Sequence, residues 1–312
     1  MELQKTNHVS TSKCEKQEVS CPVCDSKSYS SKYKPTVKIT DPIALYGAAS
    51  SIPGTQDIVT CKTCTMVYEN PRYPESVILS GYQSSDEAGH DSQYEMRVGS
   101  FLRALNRLKH EIPKAGARVL DIGSAGGAFL EAAKRYGYQI EGLEPSQYLV
   151  EQGQKRGLNL HQGTIDRHPL EKGSYDMVCF WDVIEHVVDP KKALEVARGL
   201  LKPGGVLLLN YPDIGTFQAK MAGPKFWWLI SGHLHYFSRN TIGKLCALTG
   251  FQTYHYRRYF QTLQFGYLEQ MAMHFKIPLS GLLKRLTPQF IQRIPIPYYA
   301  SQTTVLAKIR PQ

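Results

Sequence analysis

His186 is the side chain best suited to move a proton at neutral pH, because an imidazole titrates there and two carboxyls, Asp182 and Glu185, precede it by four and one residues. Either carboxyl could hold the ring in the tautomer a base needs. The plainer account is a histidine that caps the next helix or fastens a loop. His233 and His235, two apart in FWWLISGHLHYFS, would point the same way on a strand, where they could bind a metal, flank an acceptor or serve as alternative bases. An aromatic cover with structural histidines explains that cluster equally. Cys21-Pro-Val-Cys24 and Cys61-Lys-Thr-Cys64 form two knuckles, each aiming two thiolates at one point, and together they make the tetrahedral sulfur shell zinc prefers. Four thiolates saturate the metal, so its role would be structural. Finally, Glu144 stands about 20 residues past Gly123 in a glycine turn, the place from which an acid reaches ribose hydroxyls of an adenosine-bearing ligand.

The elements that must position these groups alternate. Val119 and Leu120 predict a buried strand, Gly123-Ser124-Ala125-Gly126-Gly127 a turn that lets backbone approach a ligand, Ala128 the start of a helix, and Gln139 to Glu144 a second strand. Met177 to Phe180 predicts another buried strand, and Asp189-Pro190 a helix cap followed by proline at the first helical position. Ala193, Leu194, Ala197, Leu200 and Leu201 recur at helical spacing, Gly204-Gly205 stops that helix, and Val206 to Leu209 begins a further strand. The alternation predicts an α/β, doubly wound parallel sheet with its ligand at the carboxyl ends of the strands, where Asp121, Glu144, Ile165, Trp181 and Asp182 all fall. Ser301 to Ile309 has strand composition and is expected as an antiparallel edge strand.

The run from Arg118 to Ser146 resembles motif I of the class I S-adenosylmethionine (SAM) methyltransferases, in which an acid, here Asp121, precedes a G-x-G-x-G turn by two residues; Ala125 replaces the middle glycine. A nicotinamide-type G-x-G-x-x-G fits only as Gly123-x-Ala125-x-x-Ala128, with two positions substituted. The resemblance continues over about 95 residues through Gly163-Thr164-Ile165, YDMVCFWDVIEHVVDP and LLKPGGVLLLNYP. It implies a Rossmann-like seven-stranded sheet and SAM bound by Asp121, Gly123, Ser124, Ala125, Gly127, Glu144, Pro145, Thr164, Ile165, Trp181 and Asp182. The knuckles with Met66-Val67-Tyr68-Glu69-Asn70-Pro71-Arg72, and HLHYFS with the residues after it, look like a bacterial zinc-ribbon methyltransferase group related to surface-saccharide enzymes. The segment from Asp182 to His186 is similar to ubiquinone-pathway O-methyltransferases, where an acid-x-x-Glu-His pattern is linked to a divalent cation. It is also similar to deoxysugar C-methyltransferases, where the histidine is a proposed base.

At 312 residues and 42% hydrophobic content the chain can bury a large core without staples. Seven cysteines and an N-terminus with no apolar signal core suggest a cytoplasmic chain with thiols and metal rather than disulfides; Cys14 reads as a free thiol, Cys179 and Cys246 as core. Charge is uneven: Gly215 to Gln312 carries twelve lysines and arginines against one acid, Glu269, a net of +11, which leaves the remainder near −1 of the whole-chain +10. Aromatic residues interleave with those bases, a mixture that suits an anionic acceptor with a phosphate and a ring, or an anionic membrane face. Met271, Met273, Phe275, Ile277, Leu279, Leu282, Leu283 and Leu286 could form an interfacial segment, and core packing explains them equally. The expected organisation is a disordered head over 1–19, a zinc-ribbon module over 20–72, a helical lead-in over 73–114 and a SAM-dependent methyltransferase domain over 115–312, with its substrate region at 215–300. The function expected from the resemblance is methyl transfer to oxygen or carbon of a phosphate-bearing small molecule or saccharide precursor. RNA methylation is the first alternative, weakened by Trp181-Asp182-Val183-Ile184 standing where base N-methylating enzymes carry a Pro-rich tetrapeptide; a non-catalytic SAM-binding or zinc-mediated adaptor is the second.

Overall fold

The structure is a computed structural model that describes residues 15–37, 41–46, 54–84, 93–167, 169–274 and 278–310. Cys14 and the rest of the head through residue 14, and Phe275, Lys276 and Ile277, lie outside the described residues. Within the described part of the head, Gln17 pairs with Arg72 through backbone bonds of 2.8 and 3.1 Å, and Val19 N donates to Asn70 Oδ1.

The cysteine module is a small antiparallel sheet of β1 (Tyr29–Tyr33), β2 (Ile58–Cys61) and β3 (Val67–Glu69). Each knuckle closes the same way: Asp25 N bonds to Cys21 O and Thr65 N to Cys61 O, both at 3.0 Å, with Asp25 and Thr65 in left-handed conformation. A segment of this size buries too little surface to stand by itself, and here it does not. Cys21, Val23, Val59, Met66 and Tyr68 belong to the same apolar cluster as Leu120, Phe180, Leu194, Leu209 and Leu245 of the large domain. The lead-in is two helices, α1 (Glu75–Gln83) and α2 (Tyr94–Arg107); Val98, Phe101, Ala104 and Leu105 give α2 the apolar stripe that seats it on the main sheet.

The large domain alternates as expected. β4 (Arg118–Ile122), α3 (Ala128–Tyr136), β5 (Gln139–Glu144), α4 (Gln147–Lys155), β6 (Leu160–Gln162), β7 (Tyr175–Trp181), α5 (Pro190–Leu200) and β8 (Leu201–Pro212) form its parallel half. Asp189 caps α5 by accepting from Lys192 N, with Pro190 at the first helical position. Then come α6 (Phe217–Ala222), β9 (His235–Tyr236), α7 (Arg239–Leu248) and β10 (Phe251–Arg258). An excursion of β11 (Gln261–Gln264), α8 (Phe265–His274), α9 (Ser280–Leu286), α10 (Gln289–Gln292) and β12 (Pro295–Tyr298) precedes β13 (Gln302–Ile309). The main sheet is seven-stranded in the order β10-β13-β8-β7-β4-β5-β6, which confirms the doubly wound class. β9 joins the other sheet, pairing with β3 and tying the cysteine module to the large domain.

One expectation is corrected. β13 is antiparallel but interior, lying between β8 and β10, while β10 takes the edge. Its run of buried residues from Gln302 to Ala307 requires cover on both faces, and its polar members are bonded: Thr304 Oγ1 to Asn210 Oδ1 and Thr303 Oγ1 to Asp213 Oδ2.

Candidate active site

The chain direction in space reverses beside β4, where β5 and β6 lie to one side and β7 and β8 to the other, so a crevice opens at the carboxyl ends. Its floor is the turn after β4. Gly123 has φ 68°, and a Cβ there would come within 2.6 Å of Val183; Gly127 has φ 86°, and a Cβ would meet Leu158 at 2.4 Å. Ala125, in the middle-glycine position, still adopts φ 46°, so the turn keeps its left-handed shape at a cost of about 1–2 kcal/mol.

Two acids face this turn, with different surroundings. Glu144 is tied down: Oε2 accepts from Ala125 N at 2.9 Å and Oε1 from Ser146 N at 3.0 Å. Asp121 is buried, and its Oδ1 has no partner among the described residues. Burial pushes its carboxyl well above the usual range, the hydrogen bond involving Ser124 opposes this, and the Glu144 charge adds to it. Such an acceptor fits a ligand that brings a cationic donor. Ser124 sends its hydroxyl to Asp121 O, Gln162 Nε2 bonds to Pro145 O, and Thr164 bonds to Asp166. Ile165 and Trp181 are buried in opposite core clusters, and Trp181 packs on Phe101, Phe129 and Tyr259 with ring centres 5.1–5.3 Å away. Trp181 therefore stiffens the crevice wall from within.

Asp182 turns back from the strand end with φ 55°. Its Oδ1 accepts from Asn210 Nδ2 and Gln302 Nε2, both at 2.7 Å. Burial lifts the carboxyl to about 6 despite those bonds and the Arg97 charge, which lower it. Among the described residues the Glu185 carboxyl oxygens have no hydrogen-bond partner, so that carboxyl does not bond the His186 ring, while Asp182 Oδ1 is turned to Asn210 and Gln302. Tyr82 Oη stands 2.8 Å from His186 Nδ1, the Gly232 carbonyl 3.0 Å from it, and Tyr82 donates to the same carbonyl at 3.1 Å. Tyr82 lies in the last turn of α1, 104 residues away in sequence, in a stretch with no motif to flag it. Asn210 and Gln302 were also missed; the one available signal was a polar residue closing the apolar run of β8.

His233 and His235 do not converge. His233 packs edge-on against His186 (4.6 Å between ring centres) and stacks on Trp228. His235, on β9, donates from Nε2 to Val187 O at 2.9 Å, and its backbone bonds to Glu185 O. Burial drives both imidazoles down, His235 to about 3, so both stay neutral. Geometry thus favours His186 with His233, and makes His235 a fastener of the loop after β7. Glu185 completes the cluster: it is 1% exposed, neither carboxyl oxygen has a hydrogen-bond partner among the described residues, and burial with the Asp182 charge pushes its carboxyl well above the usual range. One ligand atom each of Glu185, His186 and His233 lies within 4.8 Å of the others, so these three could share a proton or a cation; Asp182 is not in the group.

The four knuckle cysteines form the other such group among the described residues. Their thiols are free, with Cys21 Sγ 3.4 Å from Cys64 Sγ and Cys24 Sγ 3.6 Å from Cys61 Sγ. Sulfurs bonded to one zinc at ~2.3 Å stand roughly 3.8 Å apart, so this donor set fits that ion.

Comparison with known proteins bears on this geometry. A family model described as a methyltransferase domain matches residues 90–256. Ubiquinone biosynthesis O-methyltransferases of Xanthomonas oryzae pv. oryzae and Xanthomonas axonopodis pv. citri are 34% identical over 121 residues, 35% of this chain and 51% of theirs. The chain thus spans about half the length of the curated relatives it matches. Among solved structures, it is similar to a SAM-dependent methyltransferase of Thermotoga maritima described as a possible histamine N-methyltransferase (22% identity, TM-score 0.48, 71% of this chain and 94% of that one). Motif I on β4, the switch-point crevice and a domain match over more than half the chain lead to one conclusion: the chain belongs to the methyltransferase-domain family.

Proposed function

We propose that the chain transfers the methyl group of SAM to a hydroxyl oxygen of an anionic small molecule, with His186 as general base. The observation that carries this is the grip on Nδ1. A carbonyl oxygen only accepts, so Gly232 O at 3.0 Å calls for a proton on Nδ1, assigning the neutral ring's basic lone pair to Nε2. Bound SAM would supply an activated sulfonium methyl; the chain's part is alignment and proton removal. Asp121 would accept from the cofactor's ammonium and Glu144 from its ribose, with the turn at Gly123, Ser124, Ala125 and Gly127 beneath. Pro145, Thr164 and Ile165 would border the adenine, and Trp181 and Asp182 the methyl side. Oxygen is favoured over carbon by the O-methyltransferase relatives, and a phosphate-bearing saccharide precursor by the +11 charge of the last third. Cys21, Cys24, Cys61 and Cys64 would hold a structural zinc.

A second reading rests on the unpartnered atoms of Glu185 and His233. These two with His186 would hold a divalent cation, and two imidazoles with one carboxylate suit zinc, iron or cobalt better than magnesium. The test is an acceptor screen with labelled SAM, beginning with nucleotide sugars, on wild-type and His186→Ala protein, each with and without a chelator too weak to strip a four-thiolate zinc. Loss of turnover in His186→Ala with SAM affinity retained and no chelator effect supports the base. Chelator-sensitive turnover restored by added metal supports the cation, and full turnover in His186→Ala refutes both.

A further inference from the structure

We infer that the α8–α10 excursion docks on the surface of an anionic phospholipid bilayer. Glu269 on α8 is 2% exposed and accepts from Thr287 Oγ1 at 2.5 Å, Gln292 Nε2 donates to Thr287 O, and Ser280 is buried. Outward stand Leu279 (77% exposed), Leu282, Leu283, Leu286 (70%) and Phe290 (71%). Five large apolar side chains exposed within twelve residues of sequence, from Leu279 to Phe290, are more than a scattered few, and a set of this kind marks an interaction surface. The set is anchored, because Phe265 N bonds to Ile294 O and β11 pairs with β12 at the base of the excursion.

Charge selects the occupant. No acid occurs in the sequence from residue 270 to 312, and Lys284, Arg285 and Arg293 lie among the exposed leucines and Phe290. Among the described residues no carboxylate pairs with these three. Exposed leucine and phenylalanine interleaved with lysine and arginine is the composition of a segment that lies in a bilayer interface, its rings and alkyl groups among the acyl chains and its cations at anionic headgroups. A second copy of this chain would bring a like-charged face and be repelled. No helix among the described residues is long and apolar enough to cross a membrane, so the contact is peripheral.

The surface is wired to the site. Tyr298 on β12 donates to Gln261 Oε1 (3.0 Å), Gln261 Nε2 to Gln302 Oε1 (2.7 Å), and Gln302 Nε2 to Asp182 Oδ1 (2.7 Å). The excursion lies outside residues 90–256, the part of the chain that the family model matches.

The test is flotation of the full chain with vesicles of phosphatidylcholine alone or mixed with phosphatidylglycerol. Wild-type protein should float with the mixed vesicles only, and less at high salt. Leu282→Glu/Leu286→Glu should weaken binding at least about tenfold, and Lys284→Gln/Arg285→Gln/Arg293→Gln by about fivefold per charge removed. Both variants alter exposed side chains, so SAM affinity should match wild type and certify their folding. Absence of wild-type binding, or equal binding by wild type and both variants, overturns the inference. A wild-type dimer that becomes monomeric in Leu282→Glu/Leu286→Glu, without vesicle binding, would assign the face to self-association and overturn it too.

Discussion

Asp182→Asn in the ligand-free protein should raise stability at neutral pH and progressively less as the solution is acidified. The backbone permits the exchange, because asparagine tolerates the left-handed φ of 55° that Asp182 adopts. The retained side-chain oxygen can still accept from Asn210 and Gln302. What the variant removes is a carboxylate that burial makes costly to ionise, its acid lifted from 3.8 to about 6. The sign follows from linkage: a carboxyl whose folded pKa lies above its unfolded one costs nothing while protonated in both states. It then costs increasingly as pH passes the unfolded value, reaching a plateau above the folded one. A gap of about two units is worth about 3 kcal/mol at pH 7 and about 1 kcal/mol near pH 4.5. In a chain of this length that is roughly 5 °C in melting temperature at pH 7. Thermal unfolding of both proteins from pH 4.5 to 8 measures the difference. A variant less stable at pH 7, or a gain that does not shrink with acid, would refute the claim that Asp182 is a desolvated carboxylate held at its own expense.

Three other substitutions probe separate parts of the site. Asp121→Asn should stabilise the ligand-free fold by removing another raised buried acid, yet weaken SAM binding roughly tenfold to a hundredfold through loss of one charge-assisted hydrogen bond; calorimetry showing unchanged affinity would remove Asp121 from the cofactor site. Tyr82→Phe should lower kcat about three- to tenfold at constant SAM affinity, as expected for losing one net hydrogen bond that orients His186. Full turnover in that variant would show that the ring needs no such support. Cys61→Ser should abolish zinc binding and cost on the order of 5 kcal/mol or more. Because the cysteine module shares its core with the main sheet, calorimetry should show one lowered transition; a module melting separately would contradict the shared core.

Much of this molecule is written in short stretches. The strand, turn and helix from Arg118 to Tyr136, the acid closing β5, the two knuckles and the Asp189-Pro190 cap each lie within a few tens of residues. Local patterns of this length dictate backbone conformation and burial period directly. The sequence alone therefore determined the doubly wound class, the glycine turn at the switch point and the meeting of the four cysteines. Tertiary structure decided the partners. Tyr82 stands against the His186 ring, Gln302 reaches Asp182 across 120 residues, and the segment entering β9 sets His233 against His186 while committing His235 to Val187. It also decided that β13 is interior, that the cysteine module merges its core with the domain, and that the leucines of α9 face outward. None of these has a local signature: the same apolar spacing serves a core or an exposed face, and the same histidine a base or a fastener. Which one results depends on what the remainder of the chain packs against it.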